Sequence, residues 1–225
     1  MALDGSYVPF FVFFRLFVWS NIMKPLKYLL LCSIFISCAT ERIVSYDEAY
    51  KNCVVDTIQV QGAQGPMDVY MRRYQGLIGA QLPEFSGKCI NGKEINTAYF
   101  EGNISIINFW FIGCQPCEVE IPFINQMVDK YKASDINFLA IGLNAAADIE
   151  EFVLTKPFNF DHFQSGKFII DEKFRIDWGY PTTFIVNREM KIVHITNGLG
   201  GNAKASKNQR QFMRQIEKSI KPDNS

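Results

Sequence analysis

Histidine is scarce in this chain of 225 residues: His162 and His194 are the only two. That leaves little material for a histidine-based metal centre. Neither sign of charge is in excess, since 23 Lys and Arg meet 23 Asp and Glu for a net charge of zero. No basic surplus points to nucleic acid, and no acidic run forms a solvating tail. Internal repeats are absent. No apolar run reaches, uninterrupted, the ~20 residues that a membrane-spanning helix needs.

Phenylalanine, by contrast, is abundant at 20 residues, and there are six cysteines. The length suits one domain with its own core plus a leader. Residues 1–37 differ from the rest. Tyr7 to Trp19 is apolar and aromatic apart from Arg15, and a second apolar run, Tyr28 to Ile36, follows Met23-Lys24-Pro25-Leu26-Lys27. From Met23 this reads as a secretory leader, with a basic start, a short apolar centre and a small residue before Cys38. The alternative is one interrupted membrane anchor from Tyr7 to Ile36. Both readings place the remainder outside the cytoplasm. With the leader removed, 20 basic residues face 22 acidic ones, and the cysteines are Cys38, Cys53, Cys89, Cys114 and Cys117. Outside the cytoplasm such thiols tend to be oxidised.

Residues 38–77 read as a polar extension or linker, with weak strand potential at Thr57 to Val60 and Val69 to Met71. From Ile78 to the end the pattern sharpens into one domain. Asn91-Gly92 marks a hairpin turn between Phe85–Ile90 and Lys93–Ile95. Ile104 to Phe111 and Ile136 to Leu143 are buried strands. Helices are expected from Pro116 to Lys132, from Asp148 to Leu154 and from Ser206 to Ile220. Phe168 to Ile170 reads as a short strand, Asp171 to Trp178 as a helical turn, and Thr182 to Asn187 with Lys191 to Thr196 as paired strands. The alternation predicts an α/β fold, a mixed central sheet flanked by helices with an antiparallel edge and an N-terminal β-hairpin.

Cys114-Gln115-Pro116-Cys117 falls between a buried strand and the first long helix. A thiol at a helix N-terminus faces unpaired N–H groups and the positive end of the dipole, and both favour the reactive thiolate. Residues i and i+3 share a helix face, so the two sulfurs can meet. Cys114 is then the attacking nucleophile and Cys117 the resolving thiol. Half a zinc site and an inert structural disulfide are the competing readings, and neither Cys53, Cys89 nor the histidines show a paired ligand spacing. Cys117, Glu120, Ile124, Met127 and Tyr131 form one helical stripe. That puts a carboxyl on a largely apolar face, where desolvation raises its pKa and suits it to exchange a proton with Cys117. Glu118 falls on another face and is expected to be solvent-exposed. Cys53 and Cys89 are either bridged or buried as free thiols.

Asn108-Phe109-Trp110 followed by Gly113-Cys114-Gln115-Pro116-Cys117 resembles the active-site strand end of thioredoxin-like proteins. The resemblance is to the extracytoplasmic, membrane-anchored branch that includes TlpA and ResA. Ile78 to Phe85, Pro122 and Tyr180-Pro181-Thr182-Thr183-Phe184 extend it over residues 78–220. It implies a thioredoxin-like fold with a cis peptide before Pro181, a substrate backbone pairing with Tyr180, and a functional carboxylate at Glu120. Trp110 is expected at the core edge beside the substrate. Gly113 departs from the pattern, because relatives commonly carry Trp there. Cys38 resembles the lipidated cysteine of bacterial lipoproteins. The function implied is thiol–disulfide exchange on protein substrates at a periplasmic or cell-envelope membrane. The implied direction is reductive and fed by a membrane thiol donor, with apocytochrome c as a substrate class and no metal or organic cofactor. An oxidase or isomerase, a peroxide-reducing relative and a redox-silent binding lipoprotein are the alternatives.

Overall fold

The computed structural model describes residues 42–200 and 203–221. The leader, Cys32 and the lipidation reading of Cys38 lie outside the described residues. Among the described residues no helix is long and apolar enough to cross a membrane.

The extension is more ordered than its polar composition suggests. Helix α1 (Tyr46–Asn52) starts where the Ser45 hydroxyl accepts the Glu48 N–H at 3.2 Å. Strands β1 (Val55–Gly62) and β2 (Gly65–Arg72) form an antiparallel hairpin. The weak strand signals at Thr57 and Val69 therefore belong to eight-residue strands. Ile58, Val60, Met67, Val69 and Met71 alternate with polar residues, and the whole ribbon stays largely exposed, so no run of apolar residues advertised it.

The expected hairpin at Asn91-Gly92 is present but short, pairing β3 (Gly87–Lys88) with β4 (Glu94–Ile95). Gly92 has φ +82°, which a side chain would strain. After α2 (Thr97–Phe100) come β5 (Ile104–Trp110), α3 (Gln115–Tyr131), β6 (Ile136–Gly142), α4 (Ala146–Thr155) and β7 (Asp161–Phe163). Then follow α5 (Gly166–Ile169), β8 (Thr182–Val186), β9 (Ile192–Asn197) and α6 (Ala203–Ile220). The main sheet runs β7-β6-β5-β8-β9, with β5, β6 and β7 parallel and β8 and β9 antiparallel to their neighbours.

Phe168 to Ile170 is not a strand. It belongs to α5 and to a π-type turn over Ile170–Phe174, where Ile169, Ile170 and Phe174 point into the core. A three-residue apolar run does not distinguish helix from strand. The edge strand is instead Asp161–Phe163, whose Asp-His-Phe sequence carries no strand pattern.

Every residue of β5 is buried, as its near-continuous apolar run predicts. Ile107 and Phe109 face an aromatic core, with Phe109 at 4.7 Å from Phe174 and 5.1 Å from Phe184 between ring centroids. Ile104, Ile106 and Trp110 face the other way, onto Ile121, Ile124 and Met127 of α3 and Phe212 and Ile216 of α6. Cys53 and Cys89 are buried free thiols, so the bridge left open by the sequence is not made. Burial raises both thiol pKa values, that of Cys89 to about 12, which keeps it protonated and unreactive.

Candidate active site

β5 ends at Trp110, three residues turn, and Cys114 becomes the N-cap of α3. Its sulfur accepts the Cys117 N–H at 3.3 Å, and the two cysteines are joined as a disulfide with Cα atoms 5.2 Å apart. Pro116 occupies the first turn, where its missing N–H costs nothing. Gly113, at φ +88°, sits in a conformation that residues with a side chain rarely adopt. A Cβ there would meet open space, so it is the backbone conformation rather than crowding that favours glycine. Two tethers hold this turn: the Asn144 side-chain Oδ1 accepts from Ile112 N at 2.8 Å, and Glu118 Oε1 accepts from Gly113 N at 3.0 Å. Glu118 is also ion-paired to Lys156. It is thus half-buried rather than free in solvent, and the Lys156 bond, with that from Gly113, holds its pKa below the ordinary carboxylate value.

Cys117, Glu120, Ile124, Met127 and Tyr131 are all buried on one face of α3, as their spacing predicts. Glu120, one turn beyond Cys117, is 1 % exposed. The Asn108 amide donates to its Oε1 at 3.0 Å and to Thr183 Oγ1 at 2.9 Å, and Leu199 N donates to its Oε2 at 2.6 Å. Asn108 and Thr183 are directly opposite on β5 and β8, so the pairing register builds this arrangement. Burial raises the Glu120 pKa to about 7 against the lowering effect of the Leu199 and Asn108 bonds. The carboxyl therefore changes charge near neutral pH, where a general acid or base works best. Asn108 was visible in the sequence as part of a motif, but its task was not. The signal was an amide within a strand otherwise reading as buried on both faces. Asn108→Leu is expected to leave two acceptors unpaired, lowering stability by about 1–3 kcal/mol in urea unfolding. It should also raise the Glu120 pKa further, because a hydrogen bond favouring the ionised form is lost.

The Tyr180–Pro181 peptide is cis. Its loop is braced by Thr182, whose hydroxyl donates to Gly179 O at 2.7 Å and accepts from Trp178 Nε1 at 3.1 Å and Asn197 Nδ2 at 2.8 Å. The Tyr180 ring meets Phe111 edge-on at 5.6 Å, which sets this loop beside the turn leading to Cys114. Trp110 is placed differently from the expectation. It is 1 % exposed, walled by Phe152, Phe158 and His162, and shapes the core behind the cysteines rather than offering a surface to substrate. Among the described residues no group of three His, Cys, Asp or Glu is placed to hold a metal ion.

A model of the AhpC/TSA family matches residues 78–195, more than half of the chain. The chain belongs to the AhpC/TSA family. The match starts after the β1–β2 hairpin, so that ribbon and α1 precede the family's domain. Among similar AhpC/TSA relatives is the thiol-disulfide oxidoreductase ResA of Bacillus thuringiensis subsp. konkukian. It is 28 % identical over 126 residues, covering 54 % of this chain and 70 % of the relative. ResA of Bacillus subtilis is 25 % identical over 126 residues, covering 53 % and 67 %. The fold matches a Chlorobium tepidum structure provisionally named thiol:disulfide interchange protein DsbE. The TM-score is 0.55 at 24 % identity, over 64 % of this chain and 98 % of that one. This AhpC/TSA member is a thioredoxin-like thiol–disulfide oxidoreductase of the ResA type, with its Cys-x-x-Cys pair at Cys114 and Cys117.

Proposed function

We propose that the protein reduces disulfides of protein substrates outside the cytoplasm, held to a membrane through a lipid on Cys38 and recharged by a membrane thiol donor. Apocytochrome c cysteines belong to the substrate class. The reading rests on one observation above the others. A disulfide caps α3, and a nearly solvent-free carboxyl with a pKa of about 7 lies one turn behind it.

In the reduced protein the Cys114 thiolate attacks a substrate disulfide. A mixed disulfide forms and one substrate sulfur leaves with the electron pair. Cys117 then gives its proton to the Glu120 carboxylate and attacks Cys114 Sγ. This expels the second substrate sulfur and leaves the Cys114–Cys117 disulfide. Two electrons pass from the dithiol to the substrate. Tyr180 and Pro181 present backbone to an extended substrate segment, in the manner of strand addition. A peroxide-reducing role is disfavoured by the Cys-x-x-Cys pairing and by Phe111, rather than Thr, three residues before Cys114.

The test is insulin reduction by dithiothreitol, followed as precipitation of the released chains. The protein should accelerate it in catalytic amounts. No acceleration would favour a redox-silent binding protein.

A further inference from the structure

The chain is neutral overall, yet its charge is unevenly placed. Residues 207–221 carry five basic residues and one acid, leaving 18 basic residues against 22 acidic ones elsewhere. Lys207, Arg210, Arg214 and Lys218 step by 3, 4 and 4 along α6, which keeps them within an arc of about 80°. All four are exposed, on the side opposite the buried Phe212 and Ile216. Arg210 and Arg214 stand one turn apart, a like-charge pair that weakens a helix. Neither has an ion-pair partner among the described residues. The acid nearest in the helix, Glu217, is held by Lys130 of α3 at 3.0 Å.

These two guanidinium groups border a groove of about 460 Å³ between α3 and α6, lined also by Phe123, Met213 and Gln209. Phe123 and Met213 are half-buried and leave apolar surface in the groove. The groove lies along the helix that Cys114 caps, and Val119, 49 % exposed, adds an apolar position one turn before Phe123 on the side of the disulfide. Gln209 also donates to the Leu199 carbonyl, in the loop whose N–H holds Glu120.

We propose that the α3–α6 groove is a docking site for an acidic polypeptide, a redox partner that seats an apolar side chain between Phe123 and Met213 and carboxylates on Arg210 and Arg214. A polypeptide is favoured over a lipid surface because the groove borders the helix that carries the reacting sulfurs, and the apolar face of α6 is already buried in the core. The proposal rests on the oxidoreductase reading above.

The test uses the full chain, reduced, with two synthetic peptides that each hold one intramolecular disulfide and a leucine. One carries four glutamates and the other four glutamines in their place. The glutamate peptide should show a kcat/KM about three- to tenfold higher at low ionic strength, with the gap closing near ~0.5 M salt. R210E/R214E should reverse the order, and R210Q/R214Q, which only removes charge, should bring the ratio close to one. K173E, exposed and outside the groove, should keep the wild-type ratio. Equal kcat/KM for the two peptides in the wild type would overturn the proposal and leave the oxidoreductase reading standing. Failure to reduce either peptide or bis(2-hydroxyethyl) disulfide would defeat that reading and the proposal with it. Binding to phosphatidylglycerol vesicles that R210E/R214E abolishes, without any peptide preference, would reassign the stripe to lipid and likewise overturn it.

Discussion

Replacing Cys114 by alanine is expected to lower disulfide exchange by about 10³-fold or more, as loss of a nucleophile does elsewhere. Cys117→Ala should fail differently. Both cysteines are buried, Cys114 at 4 % and Cys117 at 2 % exposure, and they differ in place because Cys114 is the N-cap and Cys117 lies within the first turn. A thiol at the cap takes the helix's unpaired N–H groups and dipole directly. With Cys117 gone, Cys114 still attacks, but nothing resolves the mixed disulfide. The Cys117→Ala protein should therefore accumulate as a one-to-one covalent adduct with substrate, visible by mass spectrometry and released by dithiothreitol, while Cys114→Ala gives none. An adduct on Cys117 in the Cys114→Ala protein would reverse the assignment of attacking and resolving thiols.

Glu120→Gln is expected to slow resolution by about 10²-fold and to remove a pH inflection near 7 from single-turnover rates. The reason is the burial that raises the Glu120 pKa to about 7. Above that value the carboxylate accepts the Cys117 proton, and the glutamine amide cannot. The same shift has a consequence for stability. An unfolded glutamate titrates near ~4.3, so the folded state holds the proton more tightly than the unfolded state. That contribution is fully present below about pH 4.3 and is lost as pH rises through about 7, a change on the order of 4 kcal/mol. Glu120→Gln should flatten that part of the stability profile in urea unfolding measured from pH 4 to 8. An unchanged rate profile in the variant would remove Glu120 from the proton path.

The residues most legible in the sequence are those whose role follows from spacing along one element. The Cys-x-x-Cys pair and the stripe from Cys117 to Tyr131 needed only the 3.6-residue period of a helix. The buried strand Ile104 to Trp110 needed only its composition. What stayed hidden depends on contacts between elements. Asn108 meets Glu120 and Thr183 across α3 and β8, and Leu199 reaches the carboxyl from a loop 79 residues away. Glu118 looked exposed because its partners, Gly113 and Lys156, are fixed by the fold rather than by the helix. The β1–β2 ribbon is faint in the sequence for a different reason. It buries little, so its sequence lacks the apolar run that marks a core strand. Phe168 to Ile170 misled because three apolar residues fit a tight helical turn as well as a strand.

The reductive role is tested most directly by the reduction potential of the Cys114–Cys117 pair, equilibrated with glutathione and with thioredoxin standards. The expected value is near that of thioredoxin, about −270 mV, as befits a dithiol that passes electrons to substrates. A value near that of DsbA, about −120 mV, would contradict the reductive role and make the protein an oxidant of secreted thiols.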